Sequence, residues 1–230
     1  MRGSWLALGV LLLCQPSMNA EAHHMALRFN IEEMAAGSET IFYGACTDIK
    51  ETYEELGGGK VPISTYTFTV YEVLRGKEVS ELSIKALGHS SPAPTGKPGE
   101  IYVGGKVWSK DSALHDMPKY AVGEEHVVFL SAPDKWSLQV PMGRSQGSFK
   151  VTAKAGGFKD VRNSMDNRSL FTTPYTGFAL QKGVSVFPKD TGATVAAFAS
   201  IPDIDTLLRR RGPVELETFL DIIRIVVSGL

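Results

Sequence analysis

The chain has 230 residues, of which 43% are hydrophobic and 21% are charged, and its formal net charge is −1. These values are typical of a soluble globular protein with one domain of fair size, or with one domain plus an appendage. So small a net charge excludes a strong overall field toward nucleic acid or anionic membrane, and we expect no nucleic-acid partner.

The first 22 residues have the pattern of a secretory signal peptide. Arg2 supplies the positive charge, Trp5 to Cys14 is an apolar run, and Ala20-Glu21-Ala22 is a small-residue cleavage site. The apolar run is too short to span a bilayer, so we expect no transmembrane segment after cleavage. The sequence therefore predicts an exported protein, periplasmic or extracellular, that suits a bacterial envelope better than a eukaryotic extracellular module.

The two cysteines offer little disulfide chemistry. Cys14 follows three leucines, which leaves lipidation as an alternative, although Leu13 is larger than the small residue that usually precedes a lipidated cysteine. After cleavage only Cys46 remains, so no internal disulfide can form, and the mature domain depends on its own core. Cys46 lies in an apolar strand-like run and is predicted to be a small buried side chain. An intermolecular bridge or a reactive thiol stays open.

The first element after the signal is a short helix that begins at Asn30 and ends at Gly37. Asn30 can cap this helix, and Glu33 completes a capping box. Strand patterns follow, in which β-branched and aromatic residues alternate with period two. The clearest strand covers residues 64–74, with one face toward the core and the other toward solvent. Further strands are predicted at residues 40–49, 81–87, 136–141 and 147–153, and residues 120–130 are predicted to form a turn and then a strongly apolar strand. Residues 101–108 are a strand or an elaborated loop.

The C-terminal part changes from strand to helix periodicity. Asp166-Asn167 is predicted to be the tip of a hairpin between Val161 and Leu170. Residues 203–211 and 213–227 are predicted helices, and the second has an apolar stripe at helical spacing. We expect this stripe to pack on the strands, with a partner-binding face as the alternative. The stripe consists of Leu216, Phe219, Leu220, Ile223, Val226 and Val227.

These elements predict a mainly β fold, namely a small antiparallel barrel with a short N-terminal helix and C-terminal helices packed on it. We expect a signal peptide over residues 1–22 and the barrel domain over residues 23–153. A hairpin and a helical extension are expected over residues 154–230.

Gly143-Arg144-Ser145-Gln146-Gly147 spells G-x-S-x-G, the pattern of the serine hydrolase nucleophile elbow. That elbow needs a helix after the serine and a histidine later in the chain. Residues 147–153 have strand periodicity, and no histidine follows Ser145. The glycines therefore predict a tight turn between strands, and we expect no catalytic serine here.

Other patterns for enzyme chemistry are weaker still. Residues 99–107 nearly spell a phosphate-binding loop, but the lysine is one position late and Val107 replaces the residue that would hold Mg²⁺. The chain has no paired C-x-x-C or H-x-x-x-H pattern, so we expect no metal or other cofactor. His23 and His24 near the mature N-terminus leave one metal hypothesis, in which a free N-terminus chelates Cu²⁺ or Ni²⁺.

Three stretches together resemble netrin-like domains. The run from Ser38 to Cys46 is similar to their opening strand, and the run from Tyr66 to Gly76 is similar to a second strand that ends in Val-Leu-Lys-Gly. The run from Tyr120 to Leu130, with its Tyr-x-x-Gly spacing, resembles a later strand. Exported bacterial proteins of this pattern tend to carry Gly-x-x-Gln-Gly-x-Phe next, which residues 143–149 match. The resemblance covers residues 30–152.

The resemblance implies an OB-like five-stranded barrel. Netrin-like domains include the tissue inhibitors of metalloproteases, whose N-terminal cysteine chelates the protease zinc. This chain lacks that cysteine and the usual disulfides, so inhibition by that route is not expected. The positions that carry the structural motif are Gly76, Gly123, Gly143, Gln146, Gly147 and Phe149.

The favoured function is that of an exported, non-enzymatic barrel that binds a protein partner, for instance a secreted metalloprotease or another envelope component. The candidate contact residues are His23 and His24 at the mature N-terminus, and Trp108 and His115 in a long Pro/Gly-rich loop. One alternative is a metal-binding or hydrolytic enzyme on the same barrel. It would require His89, His115 or His126 to converge with carboxylates. Another is a structural envelope protein that assembles through its C-terminal helix.

Overall fold

The computed structural model describes residues 28–56, 59–88, 100–103, 106–109, 117–168, 170–171 and 212–230. This part of the chain is mainly β, with a seven-stranded antiparallel sheet and two α-helices. The helices are α1 (Ile31–Gly37) and α2 (Leu216–Ser228). The strands are β1 (Thr40–Leu56), β2 (Gly59–Arg75), β3 (Glu81–Leu87), β4 (Glu100–Val103), β5 (Lys106–Ser109), β6 (Glu125–Leu130), β7 (Ser148–Ala153), β8 (Lys159–Arg162) and β9 (Val214–Glu215).

The seven strands follow the order β3-β2-β1-β6-β7-β8-β9, and β4 and β5 form a separate two-stranded sheet. β6, β1, β2 and β3 are arranged as a Greek key, in which the fourth strand returns through a long connection to lie beside the first. Because strands alternate in direction, β6 ends where β7 begins and β8 ends. We call this the Leu130 end of the sheet and the opposite one the Glu125 end.

The described strands form an open sheet, with β3 and β9 at its two edges. Within the described part of the chain, one backbone hydrogen bond reaches the β3 edge, from the N–H of Gln139 to the carbonyl oxygen of Lys85 at 2.9 Å. Gln139 belongs to the loop after β6, so this loop bends back toward the first half of the sheet. The predicted antiparallel sheet is therefore confirmed, but the described strands do not close into a barrel.

Helix α1 forms as its local sequence predicts. The Asn30 side chain accepts a hydrogen bond from the N–H of Glu33 at 2.7 Å, and the Glu33 carboxylate accepts one from the N–H of Asn30 at 3.0 Å. These bonds satisfy backbone donors that lack partners at a helix N-terminus. Gly37 is the last helical residue, and the predicted capping box and helix end are both confirmed.

Two hydrophobic cores lie on opposite faces of the sheet, because alternate residues of a strand point to opposite sides. Val127 and Phe129 of β6 contribute to the first core, and Val128 and Leu130 contribute to the second. Both helices pack in the first core, which comprises Ile31, Met34, Ala35, Ile41, Tyr43, Val127, Phe129, Phe149, Val151, Val161, Leu170, Val214, Leu216, Phe219, Leu220, Ile222, Ile223 and Val226. The second core comprises Phe42, Cys46, Tyr66, Phe68, Ile84, Ala86, Tyr120, Val128 and Leu130.

A β-bulge at Tyr71 changes which face of β2 is buried. Tyr43 of β1 pairs with Glu72 and Gly44 pairs with Val70, so Tyr71 is an extra residue in the ladder. Before the bulge, Val70 packs against the second core, and after it Leu74 packs against the first. The strict alternation that the sequence predicts for residues 64–74 therefore switches face within the strand.

Two predicted elements of the loop regions are wrong. Residues 136–141 do not form a strand, since their sole bridge joins Pro141 to Leu130. Ser137 has a φ of 62°, which a strand cannot contain, and Pro141 has no N–H to donate.

Asp166 and Asn167 do form a turn, with φ values of 56° and 53°. β8 then pairs with β9 rather than with residues near Leu170, so the predicted hairpin partner was misplaced.

Helix α2 packs its predicted apolar stripe into the first core. Phe219, Ile222 and Ile223 are fully buried there, and Arg224 on the outer side makes a two-pronged ion pair with Glu72 of β2, at 2.9 and 2.7 Å. The stripe is therefore unavailable as a partner-binding face. The predicted helix at residues 203–211 lies outside the described residues. Among the described helices, none has the length and apolar character needed to cross a membrane.

Candidate functional site

Most of the predicted contact residues lie outside the described ranges. His23, His24, His89 and His115 lie outside the described residues. Trp108 lies in β5, for which the backbone path is described. The site is therefore built from the residues around β6, which carries charged or polar side chains toward both faces.

The Gly-x-x-Gln-Gly motif forms a tight turn that leads into β7. The N–H of Arg144 donates to the carbonyl oxygen of Pro141 at 2.7 Å, and Gly143 has a φ of 61°. A Cβ atom on Gly147 would overlap the backbone oxygen of Met142. The two glycines are thus required by a left-handed backbone at one position and by close backbone approach at the other.

Ser145 has none of the surroundings of a catalytic serine. Its hydroxyl accepts a hydrogen bond from the Ser164 hydroxyl at 2.8 Å. The residues after it make one 3-10 turn, Arg144–Gly147, and then enter β7 instead of a helix. This arrangement agrees with a turn and supplies no acid–base partner to Ser145 among the described residues.

Gln146 belongs to a buried cluster of side-chain amides. Its side-chain oxygen accepts a hydrogen bond from the N–H of Phe29 at 3.2 Å, and its backbone oxygen accepts one from the Asn163 amide at 2.9 Å. The Asn167 amide donates to the backbone oxygens of Val161 and Gly212, both at 2.9 Å. Asn163 and Asn167 also exchange hydrogen bonds between backbone N–H groups and side-chain oxygens, each at 2.9 Å.

This amide cluster joins segments that are far apart in sequence. It connects the start of the described chain, the turn before β7, the turn after β8 and the segment before β9. The Gln146 side chain binds a residue more than a hundred positions away in sequence, which the motif alone does not indicate. Buried amides with all their groups paired fix a unique arrangement of the chain.

A second polar cluster lies on the face of the second core. The His126 Nε2 atom is 3.3 Å from a Glu124 carboxylate oxygen, and its Nδ1 atom is 3.5 Å from the Ser148 hydroxyl. The Tyr120 ring packs edge-on against His126, with centroids 4.9 Å apart. Burial lowers the pKa of His126 more than the Glu124 carboxylate raises it. The pKa of Glu124 is raised by burial but lowered overall, because Lys150 and His126 bond to the carboxylate.

Glu124, His126 and Ser148 have the residue types of an acid–histidine–serine arrangement, but they lack access for a substrate. Ser148 exposes 7% of its surface and His126 exposes 5%. Nucleophilic attack requires the serine oxygen to contact a carbonyl carbon, and a buried strand residue does not offer that contact. Glu124, His126 and Ser148 therefore act as a polar group in the core, beside a buried Tyr120 hydroxyl that has no hydrogen-bond partner among the described residues. This arrangement could not be predicted from sequence, because Ser148 meets His126 only through the register of β6 and β7.

A third cluster links three strands on the opposite face, beside the Glu125 end. The Tyr43 hydroxyl donates to the Glu125 carboxylate, and the Lys159 ammonium donates to Glu125 at 2.7 and 3.0 Å and to the Tyr43 oxygen at 3.1 Å. Burial and the bond to Glu125 raise the pKa of Tyr43 to about 12, so its hydroxyl stays protonated at neutral pH. The groups satisfy one another and bind β1, β6 and β8 together.

The loop between β6 and the Gly143 turn holds its shape through one aspartate. The Asp134 carboxylate accepts hydrogen bonds from the N–H groups of Trp136 at 2.9 Å and Leu138 at 2.8 Å. Its own N–H donates to the Leu138 carbonyl at 2.9 Å. Leu138 is buried, whereas Trp136 exposes 39% of its surface, with the Lys135 ammonium 4.2 Å from its ring centroid. An ordered loop thus presents a tryptophan at the Leu130 end.

Among the described residues, the most exposed large apolar side chains belong to turns at the Glu125 end. Val122 precedes β6 and exposes 61% of its surface, and Phe158 precedes β8 and exposes 65%. Gly123 has a φ of 86° in the first of these turns. Within the described ranges, no three histidine, cysteine or acidic side chains are grouped so as to hold a metal ion.

Comparison with models of known protein families gives no match for this chain, and comparison with curated proteins gives none either. The netrin-like resemblance stays a prediction, carried by the residues that suggested it. Function must therefore be argued from the geometry.

Proposed function

We propose that the protein is an exported, non-enzymatic module that binds a protein partner through the Leu130 end of an OB-like barrel. The signal pattern over residues 1–22 supports export. The Greek key supports the barrel, since an OB fold is a partly open Greek-key barrel. In addition, the second core gathers side chains from β3 and β6, which are separated by two strands in the sheet, as a curled sheet requires.

The observation that carries the binding role is Trp136 on its aspartate-held loop. Tryptophan is among the residues most enriched where protein complexes gain their affinity. A side chain presented by an ordered loop loses little conformational entropy on binding, so more of the contact energy contributes to affinity. Asp134 fixes the loop backbone on both sides of Trp136, which is the preorganisation that such a contact needs.

The two alternative functions have weaker support. For an enzyme, the acid–histidine–serine arrangement is buried, and the histidines other than His126 lie outside the described residues. For assembly through the C-terminal helix, the apolar stripe of α2 already packs in the first core. Removing α2 would open that core, so a truncation near Gly212 tests stability rather than assembly.

Affinity capture from the native secretome tests the proposal when a matched pair of variants is included. Wild-type protein should recover a reproducible partner, and Trp136→Ala should lose most of it. Phe158→Ala removes an exposed aromatic ring at the other end of the sheet and should capture as the wild type does. Secreted proteases are one partner class that the resemblance suggests, and they should be scored separately.

Equal capture by wild type and Trp136→Ala would assign the contact to another surface. Loss of capture in Phe158→Ala alone would place it at the Glu125 end. Recovery of no reproducible partner by the wild-type protein would count against a protein-binding role. Circular dichroism and thermal unfolding of both variants should match the wild type, because both side chains are exposed.

A further inference from the structure

Four exposed arginines surround the amide cluster at the Leu130 end. Arg28 precedes Phe29, whose N–H binds the Gln146 side chain, and Arg144 lies in the turn just before Gln146. Arg162 precedes Asn163 and Arg168 follows Asn167, the two asparagines of the cluster. We call Arg28, Arg144, Arg162 and Arg168 the arginine surface. The buried amides hold these four positions together although they come from three separate segments.

The arginine surface has more positive charge than its neighbours neutralise. Arg162 pairs with Asp166 at 3.1 Å, and the other three arginines make no ion pair within the described residues. Lys150 of β7 lies directly opposite Arg162 in the strand register and pairs with Glu124. Like charges opposite each other on neighbouring strands are destabilising. The fold therefore tolerates an excess of cations here, in a chain whose net charge is −1.

The surroundings of this surface favour a protein as the source of the opposing charge. Trp136 lies at the same end of the sheet, and a combination of arginines with an exposed tryptophan is the composition of a protein interface. The Lys135 ammonium covers one face of the Trp136 ring, so this ring is poorly placed to stack on a nucleobase. The exposed apolar turns suited to a lipid surface, with Val122 and Phe158, lie at the opposite end.

We propose that the partner docks an acidic segment, rich in aspartate or glutamate, on the arginine surface. This inference rests on the proposed protein-binding function and adds the chemistry of the partner. Guanidinium groups suit the task because they stay charged and bind carboxylates through two parallel hydrogen bonds. The contact supplies orientation and a fast association rate, while the Trp136 loop supplies apolar contact.

Fluorescence anisotropy with labelled poly-L-glutamate tests the surface without knowledge of the partner. The mature wild-type chain should bind the probe at low ionic strength, and added salt should weaken binding. The double variant Arg144→Glu/Arg168→Glu should bind about tenfold more weakly or not at all. The control variant Lys50→Glu/Lys60→Glu reverses two exposed cations on the β1–β2 hairpin, away from the Leu130 end, and should bind as the wild type does.

Other results would overturn the inference. Equal binding by the wild type and the arginine variant, or no binding by the wild type, removes the arginine surface as an acidic-segment site. Tighter binding of single-stranded DNA or of phosphatidylglycerol vesicles, lost in the same variant, reassigns the surface to that anion. Partner capture that needs Trp136 but is unaffected by Arg144→Glu/Arg168→Glu leaves the proposed function standing and rejects the acidic segment alone.

Discussion

Replacing Asn167 with alanine is the most informative test of how the fold is held together. Asn167 exposes 1% of its surface and lies in a turn at a φ of 53°. Its side chain donates to the oxygens of Val161 and Gly212 and accepts from the N–H of Asn163, each at 2.9 Å. Alanine removes all of these bonds at once and leaves the buried backbone groups without that partner.

The expected loss follows from these contacts. Each buried hydrogen bond contributes on the order of 1 kcal/mol to stability, and an unpaired buried group costs more. A left-handed backbone costs alanine about 1–2 kcal/mol, whereas asparagine tolerates it better. The sum predicts a loss of about 3–5 kcal/mol in the free energy of unfolding for Asn167→Ala. That is a large part of the ~5–15 kcal/mol that stabilises a typical domain.

Urea denaturation followed by circular dichroism measures this loss. Asn167→Asp keeps the size and backbone preference of the residue but cannot donate to Val161 and Gly212, so it should be destabilised almost as strongly. Arg168→Ala, the exposed neighbour, should stay within about 0.5 kcal/mol of the wild type. A loss below about 1 kcal/mol for Asn167→Ala would refute the reasoning, because buried bonds of this number cannot be worth so little.

Three further outcomes are expected. Burial makes His126 resist protonation in the folded protein, whereas a histidine in the unfolded chain accepts a proton near pH 6.5. The free energy of unfolding should therefore fall as the pH drops below about 6.5. Urea titrations at several pH values should show a smaller pH dependence for His126→Gln. Gly147→Ala places a Cβ against the Met142 oxygen and should cost about 2–4 kcal/mol by the same assay. Burial raises the pKa of the Cys46 thiol, so Ellman's reagent should react with it slowly in the native protein and rapidly in denaturant.

The parts of the fold that sequence could predict depend on local chemistry. The capping box of α1 lies within four residues, so Asn30 and Glu33 identified it directly. The predicted strands that correspond to β2, β3 and β7 were recognisable because burial of one face favours period two. Those that correspond to β1 and β6 were recognisable as apolar or β-branched and aromatic runs, since β6 and the first half of β1 are buried on both faces. The apolar stripe of α2 was visible for the same reason at helical spacing.

The prediction of a strand at residues 136–141 was wrong because backbone N–H groups there bond to a side chain instead of to a neighbouring strand. Residues 136–141 have strand-like composition, but the Asp134 carboxylate takes the backbone N–H groups of Trp136 and Leu138. Side-chain bonds of this kind compete with sheet ladders and cannot be read from periodicity. The bulge at Tyr71 was hidden because one extra residue leaves the composition of the strand unchanged.

The candidate site was the least predictable part, since its members meet only in three dimensions. Gln146 was singled out by its motif, but nothing near it in sequence indicated Asn163 or Asn167. His126 was named in the enzyme alternative as a histidine that would converge with carboxylates, and strand register also places it against Ser148. Trp136 was assigned to a strand, so its display on a loop was missed. Asp134 two positions before it was the available signal, because aspartate often binds backbone groups in turns.

Quantitative capture of secreted proteins by the wild type and by Trp136→Ala tests the central claim most directly. The wild-type protein should recover a reproducible partner. The Trp136→Ala variant should recover several-fold less of that partner, and Phe158→Ala should recover as much as the wild type. The same partner recovered equally by all three proteins would contradict a contact at the Leu130 end of the sheet. No reproducible partner for the wild-type protein would contradict the protein-binding role itself.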